Sequence, residues 1–156
     1  MKQRLLLIAA LVAIPLATAA AQTQTPAPAP GLTPEQIVAA RQSAYIMSGG
    51  SFAAMKVAAD AGADVKQLAF PARSLARWAR TLPTMVPAGT NLPNSHARPE
   101  IWSDRAGFEA RAAAYADAAR LLAEAANSGD RAAFLTQWAA TRTTCGACHD
   151  SYKVSD

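Results

Sequence analysis

Two stretches near the end of the chain share one spacing. Phe108, Ala112, Tyr115, Ala119, Leu122 and Ala126 step by four, three, four, three and four. After the break Asn127-Ser128-Gly129, the residues Phe134, Trp138, Thr141, Cys145, Cys148 and Tyr152 repeat it. At 3.6 residues per turn such positions fall in one stripe, so each stretch is a helix with a single face to bury. Two such helices joined by a short turn pack antiparallel, and no run alternates with period two for long enough to offer a sheet instead. Apolar residues make up 51% of the chain, much of it alanine, while aromatics are only 6%. Small side chains let helices approach closely, and the reading is all-α.

The remaining elements complete a bundle. Thr33, Pro34 and Gln36 form a capping-box-like start for a helix A that runs through Arg41, Tyr45 and Phe52 to about Ala59. Gly49-Gly50 is expected to weaken or bend it. Helix B is expected from near Asp64 to about Thr81, with Pro71 either kinking it or marking where its regular part begins. Residues 81–99 hold four prolines and form a long connection, of a length that is often functional. Helix C starts at Ser103 or Asp104, and Ser128 or Asp130 caps helix D. The architecture is an antiparallel four-helix bundle over residues 32–156.

Ahead of it, residues 1–21 read as a signal peptide. Lys2 and Arg4 precede the apolar run Leu5 to Leu16, which is too short to span a bilayer comfortably, and Ala19-Ala20-Ala21 offers a cleavage site before Gln22. Residues 22–31 are a Pro/Ala linker. Export to the periplasm is therefore expected. Losing Lys2 and Arg4 takes the 15 basic residues to a net charge of +2 against 11 acidic ones, without a basic cluster, so nucleic-acid binding is not expected.

Cys145-Gly146-Ala147-Cys148-His149 carries the chemistry. C-x-x-C-H is the attachment signature of c-type haem. Residues three apart share a helix face, so both sulfurs reach the two vinyl groups of one porphyrin, and the adjacent histidine turns under the iron. The expected cofactor is one covalently bound haem c, with His149 as axial iron ligand. Rival readings are a disulfide or a redox dithiol. A thioredoxin-like dithiol sits at a helix N-terminus, usually among strands, whereas this pair lies at a helix end. A structural zinc site needs four ligands, and His96 is the one other histidine.

The placement of C-x-x-C-H on the last helix resembles the cytochrome c-prime family, the class II c-type cytochromes. Arg41-Gln42-Ser43-Ala44, Ala97-Arg98-Pro99-Glu100-Ile101-Trp102 and Cys145 to Tyr152 carry the likeness, which with the helix pattern covers most of Leu32 to Lys153. The resemblance implies a periplasmic haem protein, usually a homodimer, whose iron has a histidine on one side. The other side is typically vacant, apolar and able to bind NO or CO. It makes Cys145 and Cys148 the thioether links and His149 the proximal ligand. It puts Arg41 and Gln42 at the haem edge, the arginine at a propionate, where a guanidinium fork suits a carboxylate.

By the same likeness Tyr45 faces the vacant side, where low-spin relatives carry a methionine ligand. His96 matches a position that borders the haem, with propionate contact or an exposed loop as alternatives. Lys153 matches a basic residue on the proximal side that is often arginine; lysine keeps the charge and loses the planar fork. Met47 lies about 240° round the helix from Arg41 and faces elsewhere, Met55 reads as core, and Met85 in the crossover stays open as a sixth ligand. The expected function is binding NO or CO, carrying single electrons, or both, with an unidentified redox partner protein. The alternatives are a low-spin six-coordinate electron carrier, with Met85 or Tyr45 as the sixth ligand, and a haem-free dithiol bundle. The residues show no second acid/base constellation, nucleophile triad or phosphate loop, and an enzyme is not expected.

Overall fold

The computed structural model describes residues 31–154. The expected signal peptide and nearly all of the expected linker fall outside them. Helix α1 spans Pro34–Asp60, α2 Ala69–Thr81, α3 Glu100–Ser103, α4 Arg105–Ser128 and α5 Arg131–Tyr152. Helices α1, α2, α4 and α5 form the four-helix bundle, with α4 packed on both α2 and α5 and α1 closing the other side. No strand occurs among the described residues.

Local chemistry sets the helix ends. The capping box is formed: the Gln36 backbone N–H donates to Thr33 Oγ1 at 3.3 Å, and Thr33 N–H donates to Gln36 Oε1 at 2.9 Å. Helix α1 then runs unbroken through Gly49-Gly50, where weakening or a bend was expected. Trp138 of α5 supports the next turn: its ring stacks on Phe52 at 4.5 Å and its Nε1–H donates to the Phe52 carbonyl at 3.0 Å. Helix B divides. Asp64 caps a 3-10 turn over Val65–Leu68, and α2 begins after it. Pro71 is the third residue of α2, where its missing N–H would have had no helical partner, so the helix starts there rather than kinks. Asp130 caps α5, its Oδ1 accepting from Ala133 N–H at 2.9 Å. Gly129 ends α4 at φ 81°, where a Cβ would also press on the Lys66 stem at 2.6 Å.

The expected stripes are the buried ones. On α4, Phe108, Ala112, Ala119, Leu122 and Ala126 are each 2% exposed or less. On α1, Val38, Arg41, Met55 and Ala59 are buried on one face with Tyr45, Ser48 and Phe52 between them. One core cluster joins Met55, Leu75, Leu122 and Phe134; a second joins Leu82, Val86, Ile101, Phe108 and Tyr152.

The crossover is built from short turns and side-chain bonds to its carbonyls. A 3-10 turn over Leu82–Met85 opens it and the single turn α3 closes it. Arg105 donates to the carbonyls of Val86 and Pro83, and Trp102 Nε1–H to that of Pro87. Its last residues grip the end of α5: Arg98 N–H donates to the Tyr152 carbonyl and Val154 N–H to the His96 carbonyl, both at 3.0 Å.

Candidate haem site

Between the helices lies a cavity of about 580 Å³, walled by α1, α2, α4, α5 and the crossover. Cys145, Cys148 and His149 open on it from α5, Arg41, Gln42 and Tyr45 from α1, and His96 from the crossover. Residues dispersed over more than a hundred positions thus meet at one place. The stripe that buries Phe134 lower on α5 delivers both thiols to the cavity.

The thiols are free and half-buried. Burial pushes both above the ordinary cysteine range, and for Cys148 the neighbouring Cys145 adds to it. A redox dithiol needs the opposite shift. Among the described residues, no three His, Cys, Asp or Glu side chains gather as a metal cage.

Tyr45 sits at the cavity wall with its ring edge-on to Trp78 of α2, 5.4 Å between centroids and 86° between planes. The residue as a whole is 39% exposed, yet the surrounding walls crowd its phenol. Desolvation pushes its phenol up to about 12, Cys148 adding to the rise and Arg41 opposing it. Tyr115 of α4 lines the same space and is raised further, by desolvation first and then by Cys145 and Tyr45. Both phenols are neutral donors at neutral pH.

Arg41 is 1% exposed. Its Nη1 donates to Thr90 Oγ1 at 2.9 Å and to the Met85 carbonyl at 3.2 Å, and Nη2 donates to the Thr90 carbonyl at 3.0 Å. Burial lowers its pKa. The arginine expected at a haem edge is therefore also the bolt between α1 and the crossover. Gln42 repeats the pattern, its Nε2 donating to the Asn94 carbonyl at 2.6 Å. His96 is exposed and held at φ 52°, a left-handed conformation unusual for a side chain other than glycine. The backbone around it pairs with the end of α5, and Lys153 borders the cavity there.

Met47 is 74% exposed, Met55 is core, and Met85 lies in the crossover, where its carbonyl accepts from Arg41. None of the three lines the cavity. Trp78, Tyr115 and Arg111 do, and sequence reasoning had not marked them as site residues. Tyr115 had a signal: its seam position faces the same interior as the cysteine stripe.

The donor set fits a covalently held haem. Two thiols one helical turn apart share a wall, a histidine follows at once, apolar side chains line most of the interior, and the volume is that of a small-molecule site.

Comparison with known proteins agrees. The family model for cytochrome c′ matches residues 36–153. Cytochrome c′ of Pararhodospirillum photometricum is 32% identical over 123 residues, covering 78% of this chain and 98% of that protein. Cytochrome c′ of Rhodospirillum rubrum is 37% identical over 89 residues, covering 56% of this chain and 60% of that protein. Among solved structures, the nitric oxide complex of a leucine-to-alanine mutant of cytochrome c prime from Alcaligenes xylosoxidans superposes with a TM-score of 0.74 at 29% identity, over 81% of this chain and all of that one. A carbon monoxide complex of a glycine variant of the same protein gives a TM-score of 0.73 at 30% identity, with the same coverage. With the family model spanning nearly the whole bundle and the cysteines and histidine opening on one cavity, this chain belongs to the cytochrome c′ family, whose members carry haem c.

Proposed function

We propose that this protein is an exported c-type haem protein that binds NO or CO on the side of the iron facing Tyr45 and passes single electrons. When bound, the haem supplies an iron that exchanges one electron and accepts a diatomic ligand. Cys145 and Cys148 hold it covalently and His149 is its protein ligand. Arg41, with five N–H donors of which the crossover occupies some, presents the rest to a propionate, and Gln42 and His96 border the same edge. Tyr45, braced by Trp78, would narrow the space beside the haem and offer a neutral phenol donor there.

The observation that carries this reading is the composition of the cavity wall: both thiols and His149 open on it, and none of Met47, Met55 and Met85 does. The nitric oxide and carbon monoxide complexes of the Alcaligenes protein support the ligand class. That no described methionine lines the cavity supports this reading over the low-spin alternative, whose other candidate ligand is Tyr45. Residues 1–21 as a cleaved signal fit haem attachment after export. The outer stripe of α1, with Ile46, Met47 and Val57 each at least 69% exposed and no charged residue from Gln42 to Met55, is the face on which a homodimer would form.

Absorption spectroscopy of the haem-matured protein tests the reading. The expected ferric spectrum is not low-spin six-coordinate, and the ferrous spectrum shifts with CO and NO. A ferrous protein indifferent to CO overturns gas binding. Haem lost on acid–acetone extraction overturns covalent attachment. Tyr45→Ala is expected to speed NO binding; an unchanged rate removes Tyr45 from the open side.

A further inference from the structure

The surface of α2 is the most one-sided charge feature of the fold. Between Asp64 and Glu100 the chain has no acidic residue, while Lys66, Arg73, Arg77, Arg80 and Arg98 are basic. At about 100° per residue, Arg73, Arg77 and Arg80 fall within roughly 60° of arc on α2. All three are exposed, and none makes an ion pair or side-chain hydrogen bond among the described residues. Elsewhere, half-buried Arg105 and exposed Arg120 are paired with carboxylates one helical turn away. Phe70 lies beside the stripe and is 73% exposed. An unneutralised row of guanidinium groups flanking a bare aromatic ring is a recognition surface rather than a solubilising one.

Its position gives it a purpose. Leu75 and Trp78, on the other side of the same helix, line the cavity. The arginine stripe and the haem site are therefore separated by one helix, about 10 Å across. The neighbouring α1 contributes no charge on its outer stripe between Arg41 and Lys56, so nothing there offsets the field.

We propose that the outer face of α2 is the docking surface for an acidic one-electron carrier protein, with Arg73, Arg77 and Arg80 steering it and Phe70 anchoring it. This rests on the electron-carrying part of the proposed function. Charge complementarity of this kind raises association rates by about 10- to 1000-fold and fades with salt.

The test uses the haem-loaded protein and flavodoxin, an acidic one-electron donor, as probe. In the transfer one electron leaves the anionic flavin hydroquinone, which becomes the neutral semiquinone, and ferric iron becomes ferrous; no bond is made or broken and no proton moves. Two variants of equal net charge are compared: Arg73→Glu/Arg77→Glu on α2, and Arg131→Glu/Arg142→Glu on α5. Calorimetric titration with oxidised flavodoxin is expected to show binding that the α2 pair weakens at least tenfold and the α5 pair leaves within about twofold. Stopped-flow reduction by flavodoxin hydroquinone follows the same order, and the difference shrinks as salt rises. Arg73→Gln/Arg77→Gln falls between and guards against misfolding of the reversed variant.

Equal losses in the two pairs reduce the effect to net charge and overturn the proposal. So does association with phosphatidylglycerol vesicles that the α2 pair abolishes while flavodoxin binding stays unchanged. Reduction by dithionite separates the two levels. If it reduces every variant alike, a flat flavodoxin result condemns the docking surface alone. If it reduces none, the electron-carrying function itself fails.

Discussion

Where α4 turns into α5, Ala119, Leu122, Ala126 and Phe134 are sealed from solvent. At the other end the same two stripes present Tyr115, Cys145 and Cys148 half-open to a cavity. The spacing is unbroken from one end to the other; only the side chains differ. Alanine and leucine let the helices close, and the connection there is short and capped. At the open end α1 is held by hydrogen bonds from Arg41 and Gln42 to the crossover, with buried Val38 and the Tyr45–Trp78 contact beside them. A bundle can thus keep one end as a foundation and hold the other apart for a ligand. All three tyrosines lie on the open side.

The largest contrast is expected from truncating one aromatic at each end. Phe134→Ala removes a ring that is 0% exposed and is expected to cost about 3–5 kcal/mol. Tyr45→Ala removes an edge-to-face contact beside a cavity and is expected to cost about 1 kcal/mol. Urea unfolding of the haem-loaded variants measures both. Similar losses would mean that the open end is packed as tightly as the closed one.

The second test addresses how the open end is held. Arg41→Met leaves the Thr90 and Met85 carbonyls without their donor, and a loss of about 2–3 kcal/mol is expected. Hydrogen exchange should quicken over residues 85–95 and stay unchanged in the α4–α5 turn. Uniform quickening would show that the crossover and the foundation unfold as one unit.

This second region is also where the sequence was least legible. Stripes on α4 and α5, the Thr33 capping box and the meeting of Cys145 with Cys148 follow from spacing, which is local. The bolt between Arg41 and Thr90 joins residues 49 apart, and no periodicity encodes it. Hence Arg41 reads from sequence as a propionate partner only, and its burial against the crossover does not show. Gly49-Gly50 is the opposite case, a helix that runs on through two poor helix formers. Glycine weakens a helix on its own, but the Trp138 stack on Phe52 supports this one from a different helix. The Tyr45–Trp78 contact is hidden from the sequence in the same way, because it needs α1 and α2 side by side.

The tyrosines allow the open end to be attacked by pH. Tyr45 is raised to about 12 by desolvation, Tyr115 is raised by desolvation, and Tyr152 is raised by its hydrogen bond to Asp104. A phenol in the unfolded chain ionises near 10. Each of these groups has a folded pKa above its unfolded one, so its contribution is complete below about pH 10 and drains away as pH rises toward 12. Stability is expected to fall through that window. Tyr45→Phe and Tyr115→Phe should each flatten the fall, and Phe134→Ala should leave its slope alone. Denaturant titrations from pH 9 to 12 decide it; an unchanged slope in both tyrosine variants would place the alkaline sensitivity elsewhere.

The smallest effects come from two glycines whose substitution should act in opposite directions. Gly107 lies in the first turn of α4, where a Cβ would collide with the Asp104 carboxylate and come within 2.6 Å of the Tyr152 hydroxyl. That hydroxyl donates to Asp104 Oδ2 at 2.7 Å, while Asp104 Oδ1 caps α4 by accepting from Gly107 N–H at 3.2 Å. Gly107→Ala therefore must break a latch that ties the end of α5, three residues past His149, to the start of α4, and a loss of about 1–2 kcal/mol is expected. Gly50, in the middle of α1, has nothing within 4 Å of an added Cβ. Gly50→Ala should restrict the unfolded chain without a clash and gain about 0.5–1 kcal/mol. A gain at Gly107 would show the latch to be slack. A loss at Gly50, measured at rising protein concentration, would show instead that a second copy approaches α1 closely enough to need the bare backbone there.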